Sequence, residues 1–370
     1  MQALRLYAGP VAMRWIQQRG LSPADIRTVA GAAGGPKGLI LGPLDRWLFG
    51  HWLTQSAQPV HLVGASIGAW RMATACLNDC VAAFHRLEHD YIRQDYALEP
   101  GQSRPTPDAI SELFGQNLRA FYGARASKVL DHPRWRLHVV TARGRHLLGR
   151  EHRLRTPMGY LGAFLTNTVH RKAMGAWLER VVFSTAGATL PFATGDYRTR
   201  QVALSEENFH PALQASCSIP FMLRAVHNIP GAPAGAYWDG GITDYHLHLN
   251  YAAVGDADTI AGAPPAPAAG LVLYPHFQRA VVPGWLDKGL KWRHKPTHFL
   301  DNMLLLAPSP EWVSRLPNAK LPDRRDFVHY GRDLQGRVRA WSTCASASVQ
   351  LADEFAQWLH APDMKQVLPL

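Results

Sequence analysis

The apolar positions of this chain fall in short uninterrupted runs, each followed by a glycine-containing turn and then by residues at helical spacing. Residues 26–31 form one such run, partly β-branched. The stretch Gly31-Ala-Ala-Gly-Gly-Pro-Lys-Gly38 ends it, and residues 39–53 continue with a helical period, which predicts strand, loop and helix in that order. The same order returns at once: residues 60–63 read as a buried strand, 64–68 as a sharp turn and 69–86 as a helix. Two such units in succession predict a parallel sheet. Runs at 137–141, 181–185 and 271–274 supply further buried strands without hairpin turns between them. The predicted fold class is therefore α/β, a mostly parallel sheet with helices on its faces.

Proline- and glycine-rich stretches at 100–107 and 255–270 read as loops, and neither forces a domain boundary. The expectation is a single domain over residues 1–370, with a motif-bearing core at about 26–275. Beyond about residue 282, tryptophans, prolines and charges mix without a clear period, so 276–370 is expected to form a C-terminal layer or a cap over the site.

Composition narrows the class. Hydrophobic residues make up 47% of the chain and charged residues 18%, which excludes a disordered polar chain. Lys and Arg outnumber Asp and Glu by 39 to 28, a formal charge of +11 that suits an anionic partner. The basic residues are scattered, with no zinc-finger or RNP-type motif beside them. Such scatter fits a solvated basic surface at least as well as a binding patch; any partner beyond a substrate is expected to be an anionic membrane surface touched peripherally, and not a nucleic acid. Cys76, Cys80, Cys217 and Cys344 lack zinc-ligand pairing and are too sparse to staple a chain this long. With no extended apolar segment at the N-terminus, a cytoplasmic location is expected.

Candidate chemistry begins with Gly64-Ala65-Ser66-Ile67-Gly68, a G-x-S-x-G sequence between a predicted strand and a predicted helix. Small residues on either side of the serine let the backbone turn sharply and expose the hydroxyl. Upstream, Gly34-Gly35-Pro36-Lys37-Gly38 stands at another strand-to-helix junction, where backbone N–H groups suit a developing oxyanion. Gly34, Gly35 and Gly38 are candidate donors, whereas Pro36 has no N–H. Phosphate-loop patterns fail here on spacing, because Pro36 and Ala33 stand where glycine is needed. A base for the serine is offered by Asp239, in Tyr237-Trp238-Asp239-Gly240-Gly241.

These elements, together with Leu213-Gln-Ala-Ser-Cys-Ser-Ile-Pro-Phe221, occur in an order that resembles the patatin-like phospholipases, over residues 26–241. The resemblance implies a three-layer α/β/α fold, hydrolysis of lipid acyl esters, and neither a metal nor an organic cofactor. It implies Ser66 as nucleophile, Asp239 as proton acceptor, and Gly34, Gly35 and Gly38 as the oxyanion loop, with Lys37, Gly64, Gly68, Gly240 and Gly241 in support. Ala33 replaces a third consecutive glycine, and Ile242-Thr-Asp-Tyr-His246 follows where the family often has an Asn-Pro element. Other readings stand beside this one. A Ser-His-Asp triad would recruit His246, His248, His276 or His298. Asp244, His246 and His248 form a short run that would bind a metal if placed on one face. The same carbonyl chemistry serves an intracellular polyester or a thioester, and a chain without turnover would be a lipid-binding protein.

Overall fold

The computed structural model describes residues 2–96, 102, 105–253 and 270–370. The expected loop at 255–270 lies outside these except for Gly270, and so does part of that at 100–107. Eleven strands form the framework: β1 (Leu4–Ala8), β2 (Ile26–Gly31), β3 (Val60–Ala65), β4 (Trp135–Gly144), β5 (Leu178–Ser184), β6 (Thr199–Ala203), β7 (Val226–His227), β8 (Ala236–Asp239), β9 (Leu271–Pro275), β10 (Met303–Pro308) and β11 (Val367–Pro369). They make one sheet in the order β11-β1-β10-β9-β2-β3-β4-β5-β6, with β8 paired to β4 and β7 to β8. From β10 to β4 every successive pairing is parallel. β9 and β10 are buried at every residue, as strands are when helices cover both faces of a sheet. The result is a three-layer α/β/α fold with a mostly parallel centre.

All five predicted runs are strands. β5 departs from the parallel expectation by running antiparallel to β4. The reason is the connection between them: Arg145 N donates to Trp177 O at 2.8 Å, so residues 145–177 leave the sheet and return to the same end of it. The helix Arg155–Val169 lies on this excursion.

The predicted helix at 39–53 is a succession of short pieces, with 3-10 turns at Gly35–Leu41, an α-helix at Gly42–Trp47 and a wider π turn at Leu48–Trp52. Pro43 accounts for the first break, since its ring has no N–H and crowds the preceding turn, and it serves instead as a starting residue. The predicted helix at 69–86 is two, Ile67–Ala75 and Cys80–Ile92. Asp79 starts the second by accepting from Ala82 N at 3.1 Å.

Residues 276–370 form a layer joined to the sheet, not a detached cap. They supply β10 and β11 and the helices Leu334–Ala347 and Val349–His360. Phe355 of the latter packs edge-on against Trp47 and Trp52. No helix among the described residues is long and apolar enough to cross a membrane.

Candidate active site

β4 has two edges. Along one, β5 runs antiparallel from His138 to Gly144. The other edge is shared by two strands. β3 pairs with it in parallel as far as Ala65, opposite Val140, and β8 pairs with it antiparallel up to Asp239, opposite Thr141. The two strands meet head-on at adjacent registers. The residue after β3, Ser66, is thereby brought to the last residue of β8, and Ser66 Oγ donates to Asp239 Oδ2 at 2.7 Å.

Ser66 carries the chain from β3 into the helix Ile67–Ala75 with φ 56° and ψ −130°, outside the regions L-residues favour. Such a conformation persists where its surroundings over-determine it. Here Ser66 N donates to Ser216 Oγ at 2.9 Å, and Ser216 Oγ donates to Val140 O at 2.7 Å. All nine residues of the following helix are buried, so Ser66 leads into an element that cannot shift without disturbing the core. Gly64 and Gly68 flank the turn, and Gly68 packs on the end of β2.

Asp239 is held as firmly. Its second oxygen, Oδ1, accepts from Gly241 N at 2.7 Å. Its own N–H donates to Ser218 O at 2.9 Å, and Gly240 N donates to Ser216 O at 3.2 Å. The segment Ser216-Cys217-Ser218 therefore grips both members of the pair. Burial pushes the Asp239 carboxyl above its usual range, while the Ser66 bond, the Arg324 charge, the Gly241 amide and the Lys288 charge pull the other way. A carboxylate so raised has a stronger affinity for a proton than one in water.

The glycine loop lies against this pair. Gly241 is so close to Ala33 that a Cβ on it would stand 2.7 Å from that of Ala33, and Ala33 N donates to Tyr245 O at 3.0 Å. Gly35 has φ +57°, which glycine adopts without strain. The amides of Gly34 and Gly35 donate to no protein acceptor among the described residues, and neither does that of Ile67, the first of the buried helix. Gly38 lies inside the 3-10 segment, where an amide serves the i→i−3 ladder, and it gives room to Ile67.

Three cations surround the loop. Lys37 Nζ lies over the Phe277 ring at 5.0 Å and Lys288 Nζ over the Tyr245 ring at 4.0 Å, while Arg324 packs on Gly35. None of the three has an ion-pair partner among the described residues. Burial lowers Lys288 to about 8. The region thus gathers positive charge around the loop and the Asp239 carboxylate.

None of the four candidate histidines bonds to Ser66 or Asp239. His246 accepts from Val282 N at 3.0 Å through Nδ1, and His276 Nδ1 faces Gln278 O. His248 Nε2 meets Thr297 Oγ1 at 3.2 Å, and His298 lies in a short helical turn, His298–Leu300. The Asp244, His246, His248 run does not converge either, because both oxygens of Asp244 are bonded to Arg180 at 2.6 and 2.8 Å. Sequence reasoning missed the clamping roles of Ser216 and Ser218, the Ile67 amide, and the cations Lys288 and Arg324. The serines stood in a quoted motif, whereas Arg324 lies in a segment without period. No protein-family model matches this chain, and no curated protein matches it.

Proposed function

We propose that this protein is a serine hydrolase of lipid acyl esters, of the patatin-like kind, working through a Ser66–Asp239 dyad. The observation that carries the reading is the 2.7 Å bond from Ser66 Oγ to Asp239 Oδ2, made by a buried carboxylate at a strained strand-to-helix turn. Ser66 Oγ attacks the acyl carbonyl carbon as its proton passes to Asp239. The carbonyl oxygen becomes an oxyanion facing the amides of Gly34 and Gly35, with the Ile67 amide beside the serine. Collapse breaks the ester bond, and the departing alkoxide takes the proton from Asp239. Water then attacks the acyl-serine, gives its proton to Asp239, and the acid product leaves as Ser66 is restored.

The test is hydrolysis of p-nitrophenyl esters across short and long acyl chains, with active-site labelling by a fluorophosphonate. Ser66→Ala and Asp239→Asn are each expected to lower kcat/KM by about a thousandfold or more, and labelling is expected on Ser66 alone. Full activity in Ser66→Ala would refute the reading. The chain-length profile, run alongside polyester and thioester substrates, identifies the acyl group.

A further inference from the structure

Apolar exposure on this molecule is concentrated. Of twelve large hydrophobic side chains exposed among the described residues, nine lie at 147–169 or at Phe221 and Met222. The first group belongs to the excursion between β4 and β5, whose helix Arg155–Val169 buries Tyr160 and Ala163 against the core and turns a second apolar row outward. Leu154, Met158, Leu161, Leu165 and Val169 recur at helical spacing along its outer face, with exposures of 68, 62, 58, 55 and 84%. On the inner face, beside the buried Tyr160 and Ala163, Thr156 and Asn167 are both partnered. Thr156 Oγ1 accepts from His152 N at 2.9 Å, and Asn167 is bonded to Asp287 at 2.8 Å and to Arg293 at 3.2 Å. These buried bonds fix which face points outward.

The same helix reaches the dyad from its other side. Tyr160 is buried, with its ring 5.8 Å from Phe221 and 6.2 Å from Trp238, the residue before Asp239. Its hydroxyl has no hydrogen-bond partner among the described residues. Phe221, held at φ 68° and 56% exposed, ends the motif that contains Ser216 and Ser218. Tyr160 therefore ties the helix that bears the ridge to the strand that ends in Asp239.

Charge around the ridge is predominantly positive, although Arg143 is paired with Glu179 at 2.6 Å, and Arg171 and Arg293 with Asp287 at 3.0 and 2.9 Å. Residues 143–178 contain seven Lys and Arg and a single acid, Glu151, which is tied to Arg224 at 3.2 Å. Residues 288–298 add four more Lys and Arg, no acid, and Trp292 at 65% exposure. Arg293 joins this segment to the helix by donating to Thr168 O at 3.2 Å.

We infer that this face docks on an anionic lipid surface, the ridge entering the acyl region while the flanking cations meet headgroups. A second copy of the chain fits less well, since a symmetric contact would set these cations against themselves. The inference rests on the ester hydrolase reading for its purpose, but its test needs no turnover.

Ser66→Ala protein, which spares the lipid, is sedimented with vesicles of phosphatidylcholine alone and of phosphatidylcholine mixed equally with phosphatidylglycerol. It is expected to partition onto the anionic vesicles. Adding Leu161→Asp with Leu165→Asp is expected to weaken partitioning about tenfold or more, and Lys291→Glu with Lys295→Glu to weaken it severalfold. In the Ser66 background both pairs are expected to keep an unchanged circular dichroism spectrum and turnover of soluble p-nitrophenyl butyrate. Undiminished partitioning of the leucine pair overturns the inference. So does absence of the parent from anionic vesicles, or a dimer in sedimentation velocity that the leucine pair dissociates. Vesicle binding without any ester turnover in the Ser66 protein leaves docking intact and sinks the hydrolase reading instead.

Discussion

Gly68 lies against Gly31 so closely that a Cβ on Gly68 would stand 1.8 Å from the Gly31 carbonyl oxygen. The start of the nucleophile's helix is thereby pressed onto the end of β2, from which the oxyanion loop departs. Gly68→Ala must push these two backbones apart, and is expected to cost about 2–4 kcal/mol of stability. Urea unfolding measures the first effect. Because the serine and the loop move relative to one another, ester turnover per folded molecule should fall as well.

Asp239→Asn is expected to remove activity and yet raise the melting temperature. The folded-state pKa of Asp239 is raised, mainly by burial. Its stabilising contribution is therefore complete below the unfolded-state pKa and is lost as pH rises through the folded one. At neutral pH the ionised, buried carboxylate costs stability, and asparagine removes that charge while its oxygen still accepts from Gly241 N. Calorimetry of the two proteins at pH 7.5 and at pH 4 checks this, with the difference shrinking toward the acid side.

Arg324→Gln bears on the same group from outside. The Arg324 charge pulls the Asp239 pKa down. Without it the carboxyl protonates at higher pH, and an Asp239 that already carries a proton cannot take the one from Ser66. The acid limb of the kcat/KM profile is expected to move upward, with activity at alkaline pH less affected.

Asp244→Asn should unfold the region behind the site. Arg180 and Asp244 are both fully buried and share two bonds. Removing the negative partner leaves a fully buried guanidinium with Asp196 at 3.2 Å and Thr199 Oγ1 at 3.0 Å. A loss of about 3–5 kcal/mol is expected by chemical denaturation, and Asp244→Asn with Arg180→Met should recover part of it.

Acid should destabilise the whole molecule through histidines kept neutral. Burial holds His61, His132 and His248 at about 4 and His276 at about 3. The unfolded chain binds those protons near pH 6.5, so stability is full above that value and falls as pH drops toward 4. Each such histidine adds about 1.4 kcal/mol per pH unit in that window. Urea midpoints measured from pH 7.5 to 4.5 report the slope, and His61→Gln should flatten it.

Ser66, the glycine loop and the central parallel strands were legible because each is specified by neighbours in sequence: an apolar run, then small residues, then a helical period. Asp239 was legible through the order of motifs. What periodicity could not supply were relationships across the sheet. Ser216 acts on Ser66 from 150 positions away, and although its motif marked the segment, nothing there announced which atom it would hold. β5 was found but its direction was not, because the Arg145–Trp177 closure that returns the chain lies outside the strand itself. Residues 155–169 show the sharpest limit. A helical spacing of leucines reads as a buried face, and only the partners of Thr156 and Asn167 reveal that the face points outward.

The head-on meeting of β3 and β8 also sets an order in time. During synthesis the chain leaves the ribosome with the Ser66 turn 173 residues ahead of Asp239. A nascent or prematurely terminated polypeptide carries the serine but has nothing to take its proton. On the proposed reading, Ser66 gains its proton acceptor only when β8 docks beside Thr141, so activity would arise late in assembly.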